Sequence, residues 1–242
     1  MRAPAVDAAR ALVAELFPDA VQAWLAGSTT TGRATKTSDL DITVLLEHGE
    51  VRRESLEYDG WPVELFVHTE ASVAHFVAQD LARRRPTMAR LVAEGVPLLD
   101  PTAGEALRSQ CQEVLDRGPG PVPDAELELL RYLLTDLLDD LAGAGHDEEA
   151  TAVAVAVWQQ TAELALAAAE TWSGTGKWLV RELAALDAAR RTHLTAALDL
   201  ALHRALAGER ASLTAVADDV LADVGGRRWV GFRSLADLPA TP

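Results

Sequence analysis

Residues 117–124 read RGPGPVPD. Three prolines and two glycines in eight residues cannot continue a helix, because proline lacks the N–H and clashes with the preceding turn. This break divides the 242 residues into halves with different hydrophobic rhythms. Before it, short strand-like runs alternate with helical stretches. After it, apolar positions keep helical spacing from Asp124 to about Val224, with gaps at GAGH (143–146), SGTG (173–176) and AGER (207–210). The expected fold class is α+β: an N-terminal domain over residues 1–116, a linker over 117–123, and an all-α helical bundle over 124–242.

Within the first half, residues 5–17 have helical spacing, and AVQAWLA (20–26) and LDITVLLE (40–47) read as strands. VRRESLEYDGWPVELFVH (51–68) reads as a hairpin turning at Asp59-Gly60, a dipeptide that suits a two-residue turn. Helices are expected near 70–84, 86–95 and 102–116. In the second half Asp124 is the expected N-cap of the helix ELELLRYLLTDLLDDL. The tail GGRRWVGFRSL (225–235) fits neither pattern clearly.

The chemistry concentrates in GSTTTGRATKTSDLDITVLLE, residues 27–47. Side chains alternate along a strand. Leu40, Ile42, Val44 and Leu46 are therefore expected on the core face, and Asp39 and Asp41 together on the other. Two neighbouring carboxylates repel unless a cation lies between them. Mg²⁺ takes oxygen ligands and shares them with phosphates. Gly27 permits close backbone approach. Ser28 opens an expected short helix through Thr29–Arg33, whose N–H groups suit an anion. On the hairpin, Val63, Leu65 and Val67 form the core face, and Glu64 points the other way as a possible third carboxylate of a two-metal site.

The pattern G-S-x₃-G-x₅-S-D-x-D, between two strands and followed by Glu64 in VELFV, resembles the signature of the DNA polymerase β-type nucleotidyltransferase superfamily. The helical second half is similar in layout to that of the antibiotic nucleotidyltransferases. The resemblance implies a small mixed sheet with flanking helices, and assigns Mg²⁺ binding to Asp39, Asp41 and Glu64. It gives the triphosphate to Gly27 and Ser28, with Ser38 adding a contact. Glu64 stands where Asp is commonest, and metal ligand and proton acceptor both remain open for it. Relatives of this layout use a lysine of the helical domain on the nucleotide phosphates. Lys177, which opens a helix after SGTG, is the candidate here. The chain's other lysine, Lys36, is expected in solvent.

Nucleotidyl transfer needs a base within reach of the acceptor hydroxyl. YLLTDLLDDL offers Asp136, Asp139 and Asp140, with Asp136 taken as the candidate. At about 100° per residue, Leu127, Leu130, Leu134, Leu137, Leu138 and Leu141 form the buried stripe of that helix. Tyr132, Asp136 and Asp139 cluster opposite, facing either solvent or an acceptor.

The formal net charge is −15 and the Arg83-Arg84-Arg85 run is the densest cationic spot. No basic stripe for a polynucleotide is visible, and this run is expected as a solvated helix end. The lone Cys111 excludes an internal disulfide and suits a reducing cytoplasm. Charged residues in the first seventeen argue against a signal peptide, and no stretch suits a membrane. The expected protein is a cytoplasmic transferase that moves NMP, from ATP or another NTP with Mg²⁺, to a hydroxyl of a small cationic acceptor of the aminoglycoside type. The alternatives are a protein or RNA acceptor, or a silent nucleotide-binding module.

Overall fold

The structure is a computed structural model that describes residues 3–233. Ser234 and Leu235 of the ambiguous tail lie outside the described residues. The chain divides into two compact units, Met1–Pro119 and Gly120–Pro242.

The first unit is built on one mixed sheet. β1 (Gln22–Ala26), β2 (Leu40–Leu45), β3 (Arg52–Tyr58), β4 (Trp61–His68) and β5 (Val96–Pro97) take the order β3-β4-β2-β1-β5. β2 and β4 run parallel, and the other pairs are antiparallel. The β3–β4 hairpin closes through the Tyr58–Trp61 pair. Asp59 (φ 48°) and Gly60 (φ 73°) both take positive φ, as the expected two-residue turn requires.

Helices cover both faces of the sheet. On one face α1 (Ala5–Leu16) sets Ala9, Leu12 and Val13 against Leu25, Ile42 and Leu65. On the other, α2 (Glu70–Ala82), α3 (Thr87–Ala93) and α4 (Glu105–Arg117) pack Val73, Met88, Val92 and Leu107 against Trp24 and Leu45. Each fully buried Leu, Ile or Val stabilises by roughly 1.5–3 kcal/mol. The two-sided cover corrects the simple alternation expected of β2. Thr43 and Leu45, on the face of Asp41, are fully buried, and Leu46 is only half-buried. Only the first residues of that face stay open, where Asp39 and Asp41 stand.

The arginine run also departs from expectation. Asp80 is 2% exposed, accepts the Met88 N–H at 2.6 Å and pairs with Arg83 at 2.6 Å. Arg84 takes φ 57° and is buried. The run is thus a tight α2–α3 connection organised around a buried carboxylate.

The second unit holds α5 (Asp124–Gly143), α6 (Asp147–Ala168), α7 (Lys177–Arg190), α8 (Leu194–Leu206) and α9 (Ala211–Ala222). Leu134, Leu138 and Leu141 of α5 enter its core, with Leu127, Leu130 and Leu137 packed at its margin. Asp124 is the first helical residue, not the N-cap; Pro123 holds the cap position and makes no side-chain bond. This suits proline's fixed φ and an acidic first turn near the helix dipole. Among the described residues, no helix is long and apolar enough to cross a membrane.

The break between α7 and α8 has no proline or glycine to announce it. Arg191 takes φ 57°. Asp187 reaches forward to cap α8, accepting from Leu194 N and Thr195 N at 2.8 Å each and from the Thr192 hydroxyl at 2.6 Å. Burial pushes the Asp187 carboxyl up, but these hydrogen bonds outweigh it and bring it from 3.8 to about 2. A depressed folded value adds stability that is present above the unfolded value and is lost as pH falls through the folded one. Asp187→Ala should lower the stability of the helical unit by about 1–2 kcal/mol at neutral pH, after allowance for solvent screening. The difference from wild type should shrink between pH 4 and 2. Urea midpoints followed by circular dichroism across that range check it, and a pH-independent difference would refute the charged cap.

Candidate active site

The site forms where β1 ends and β2 begins. β1 stops at Ala26, and Gly27 turns with φ 84°. The expected short helix through Thr29–Arg33 is instead a run of turns. Three successive β-branched threonines supply the reason. Their hydroxyls bond backward: Thr29 to Ala26 O at 3.4 Å, Thr30 to Gly27 O at 3.0 Å, and Thr31 to Gly27 O and Ser28 O at 3.4 Å each. Gly32 (φ 69°) ends the run.

The loop then folds back on its start. Ser28 Oγ lies 2.8 Å from Ser38 Oγ, and Ser38 Oγ accepts the Thr35 N–H at 2.8 Å. Ser38 is 7% exposed. Its hydroxyl is thus the staple that fixes the loop beside Asp39. The half-buried Ser28 shares that bond and stays beside the turn.

Asp39 precedes β2 and Asp41 lies within it; both are half-buried. Two apart, they share a face. Across the sheet Asp41 pairs with Ala26 on β1 and with Glu64 on β4. Directly paired residues carry their side chains on the same face, so Asp39, Asp41 and Glu64 belong to one face. Gly27 packs against Asp41: a Cβ there would stand 2.1 Å from Asp41 Oδ2. The glycine is required twice, for its φ and for this approach.

Glu64 is held by a neighbour on β3. Arg53 Nε and Nη2 both contact its Oε1, at 2.7 and 2.5 Å. Sequence reading missed this partner. The signal was available: Arg53 lies on the strand that a two-residue turn pairs with β4.

Asp39 and Asp41 are a donor set that suits a hard divalent cation, with Glu64 beside Asp41 as a further carboxylate. Among the described residues, no three His, Cys, Asp or Glu side chains already form a metal-holding group.

The remaining candidates lie in the other unit. Lys177 is the exposed first residue of α7. Asp136 is half-buried on α5 and has no hydrogen bond or ion pair among the described residues. Its two companions are engaged by the chain's own tail. Tyr132 stacks on Phe232 at 4.1 Å and on Trp229 at 5.3 Å. Asp139 pairs with Arg227 at 3.3 Å. Solvent and acceptor were the two expected occupants of this face; Arg227, Trp229 and Phe232 cover part of it, and the Asp139 side chain keeps 61% of its exposure.

Gly27→Ala and Gly32→Ala separate the two demands on the turn. Both add strain at positive φ, of about 1 kcal/mol. Only Gly27 also meets Asp41; nothing lies within 4 Å of a Cβ at Gly32. Gly27→Ala should therefore lose more stability in urea than Gly32→Ala. Equal behaviour of the two variants would show that Asp41 yields freely.

One solved structure and one family model are similar to parts of the chain. The solved structure of a nucleotidyltransferase-like protein from Exiguobacterium sibiricum is 15% identical to it, over 90% of this chain and 79% of that one, with a TM-score of 0.41. No curated protein matches the chain. Residues 6–76, which run from α1 through the sheet's four longer strands into α2, match the family model described as the nucleotidyltransferase domain. That segment contains the Gly27–Ser28 turn, both aspartates and Glu64, and the N-terminal part of this chain is accordingly a nucleotidyltransferase domain of the DNA polymerase β type.

Proposed function

We propose that the protein transfers NMP from an NTP, with ATP as the first choice, to a hydroxyl of a small cationic acceptor and releases pyrophosphate. The observation that carries the reading is the Asp41–Glu64 register beside the Gly27–Ser28 turn. It puts acidic donors and a close-approach turn at one open end of an otherwise covered sheet.

In this reading the acceptor oxygen forms a bond to the α-phosphorus, the bond from that phosphorus to the pyrophosphate oxygen breaks, and the hydroxyl proton passes to a carboxylate. Asp39 and Asp41 hold Mg²⁺, with Glu64 as a third ligand or as the base. The metal supplies neutralisation of phosphate charge when bound. Gly27 lets the backbone come close to the triphosphate, and Ser28 and Ser38 keep the turn in place. Asp136 is proposed as an alternative base, as one of the carboxylates of α5, and Lys177 as a phosphate contact, the role that the resemblance implies for it. The net charge of −15 favours a cationic acceptor by raising its local concentration, and an aminoglycoside-type antibiotic fits that description. The reading places the reaction in the cytoplasm, in keeping with a single, buried and free Cys111.

Pyrophosphate release, with Mg²⁺ and each NTP against a panel of aminoglycosides, aminocyclitols and lincosamides, tests the reading. Release should depend on one acceptor class. Asp41→Asn should lower it by about 10²–10³-fold while leaving the urea midpoint near wild type. Undiminished turnover in that variant would remove Asp41 from the chemistry. Release with no panel compound, against a background of nucleotide-stabilised protein, would redirect the search to protein or RNA acceptors.

A further inference from the structure

Arg53 stands on the carboxylate face of the sheet. It pairs directly with Phe66, and its guanidinium lies 5.2 Å over the Phe66 ring. From there it reaches the preceding residue on that face, Glu64. Both guanidinium contacts converge on Oε1, and Oε2 has no hydrogen bond or ion pair among the described residues. The Glu64 side chain is 22% exposed and that of Arg53 is 66% exposed.

Three carboxylates on one face repel each other, and a positive charge beside them relieves the repulsion. A pair this exposed is nevertheless weak, because solvent screens it. A divalent cation carries twice the charge and can take the oxygen that Arg53 holds.

We infer that Arg53 is a resident counter-ion for Glu64, holding the third carboxylate away from its metal-binding arrangement until a divalent cation displaces the guanidinium. This inference rests on the nucleotidyl-transfer reading of the site and concerns its regulation. Arg53 is a positioning residue, since it acts through Glu64. The metal must compete with it, so its removal should strengthen metal binding, a gain that structural damage does not produce.

The test is Mn²⁺ binding without nucleotide, followed by the electron paramagnetic resonance signal of the free ion. The full chain is compared as wild type, Arg53→Met, Arg53→Lys and Asp41→Asn. Arg53→Met keeps an apolar stem against Phe66 and should bind Mn²⁺ about two- to fivefold more tightly than wild type. Arg53→Lys keeps the charge but not the fork and should fall between them. Asp41→Asn should lose the binding. Wild-type affinity in Arg53→Met, with binding lost in Asp41→Asn, overturns the counter-ion role and leaves the metal site standing. Binding retained in Asp41→Asn overturns the metal site itself and the counter-ion role with it.

Discussion

The parallel pairing of β2 with β4 is the constraint on which the site depends. It sets Asp41 beside Glu64 and, two residues on, Thr43 beside Phe66. Side chains in a sheet alternate with a period of two, so a slip by one residue would exchange the faces. Such a slip would bury carboxylates where Ile42 and Leu65 now pack and expose those two side chains. The hydrophobic contacts of the α1 face are thus what hold the acidic residues in register. Chemistry at the open end of the sheet is specified by aliphatic packing behind it.

The same sheet shows why the acidic residues are tolerated. Helices cover both of its faces, and a charge buried in its middle would cost several kcal/mol. Asp39 and Asp41 escape that cost by lying at the margin, half-exposed, where water still reaches them. Thr43, one step further along the same face, is fully buried. The site occupies the short stretch where the sheet has ended its cover but not its order.

Much of this was legible in the residues. Val63, Leu65 and Val67 announced their face by alternation, and Asp59-Gly60 announced the hairpin. That Asp39, Asp41 and Glu64 share one face could be read because alternation along each strand fixes it. What escaped reading depended on partners distant in sequence or on competing local bonds. The helix expected after Ser28 gave way to threonine hydroxyls that bond backward. The α7–α8 break is made by Asp187 reaching seven and eight residues ahead, with no breaker residue at the break. Within the Arg83-Arg84-Arg85 run Arg84 is buried, while Arg83 stays exposed and pairs with the buried Asp80. Arg53 went unread because alternation assigns a face but says nothing of which cross-strand neighbour a long side chain chooses.

The segment after α9 that lies on α5 ties two parts of the chain that are distant in sequence. Arg131 donates to the carbonyls of Gly225 at 2.8 Å and Gly226 at 3.0 Å. Glu128 is contacted by Arg131 and, at 2.6 Å, by Arg228. The Thr135 hydroxyl accepts the Arg228 N–H at 2.9 Å. Contacting residues do not contribute independently. A neutral residue at 128 would remove the carboxylate that both guanidinium groups contact, so its effect should depend on what stands at 131 and 228. The path of residues 225–228 is therefore set by side chains in the middle of α5, and the two segments should lose their order together.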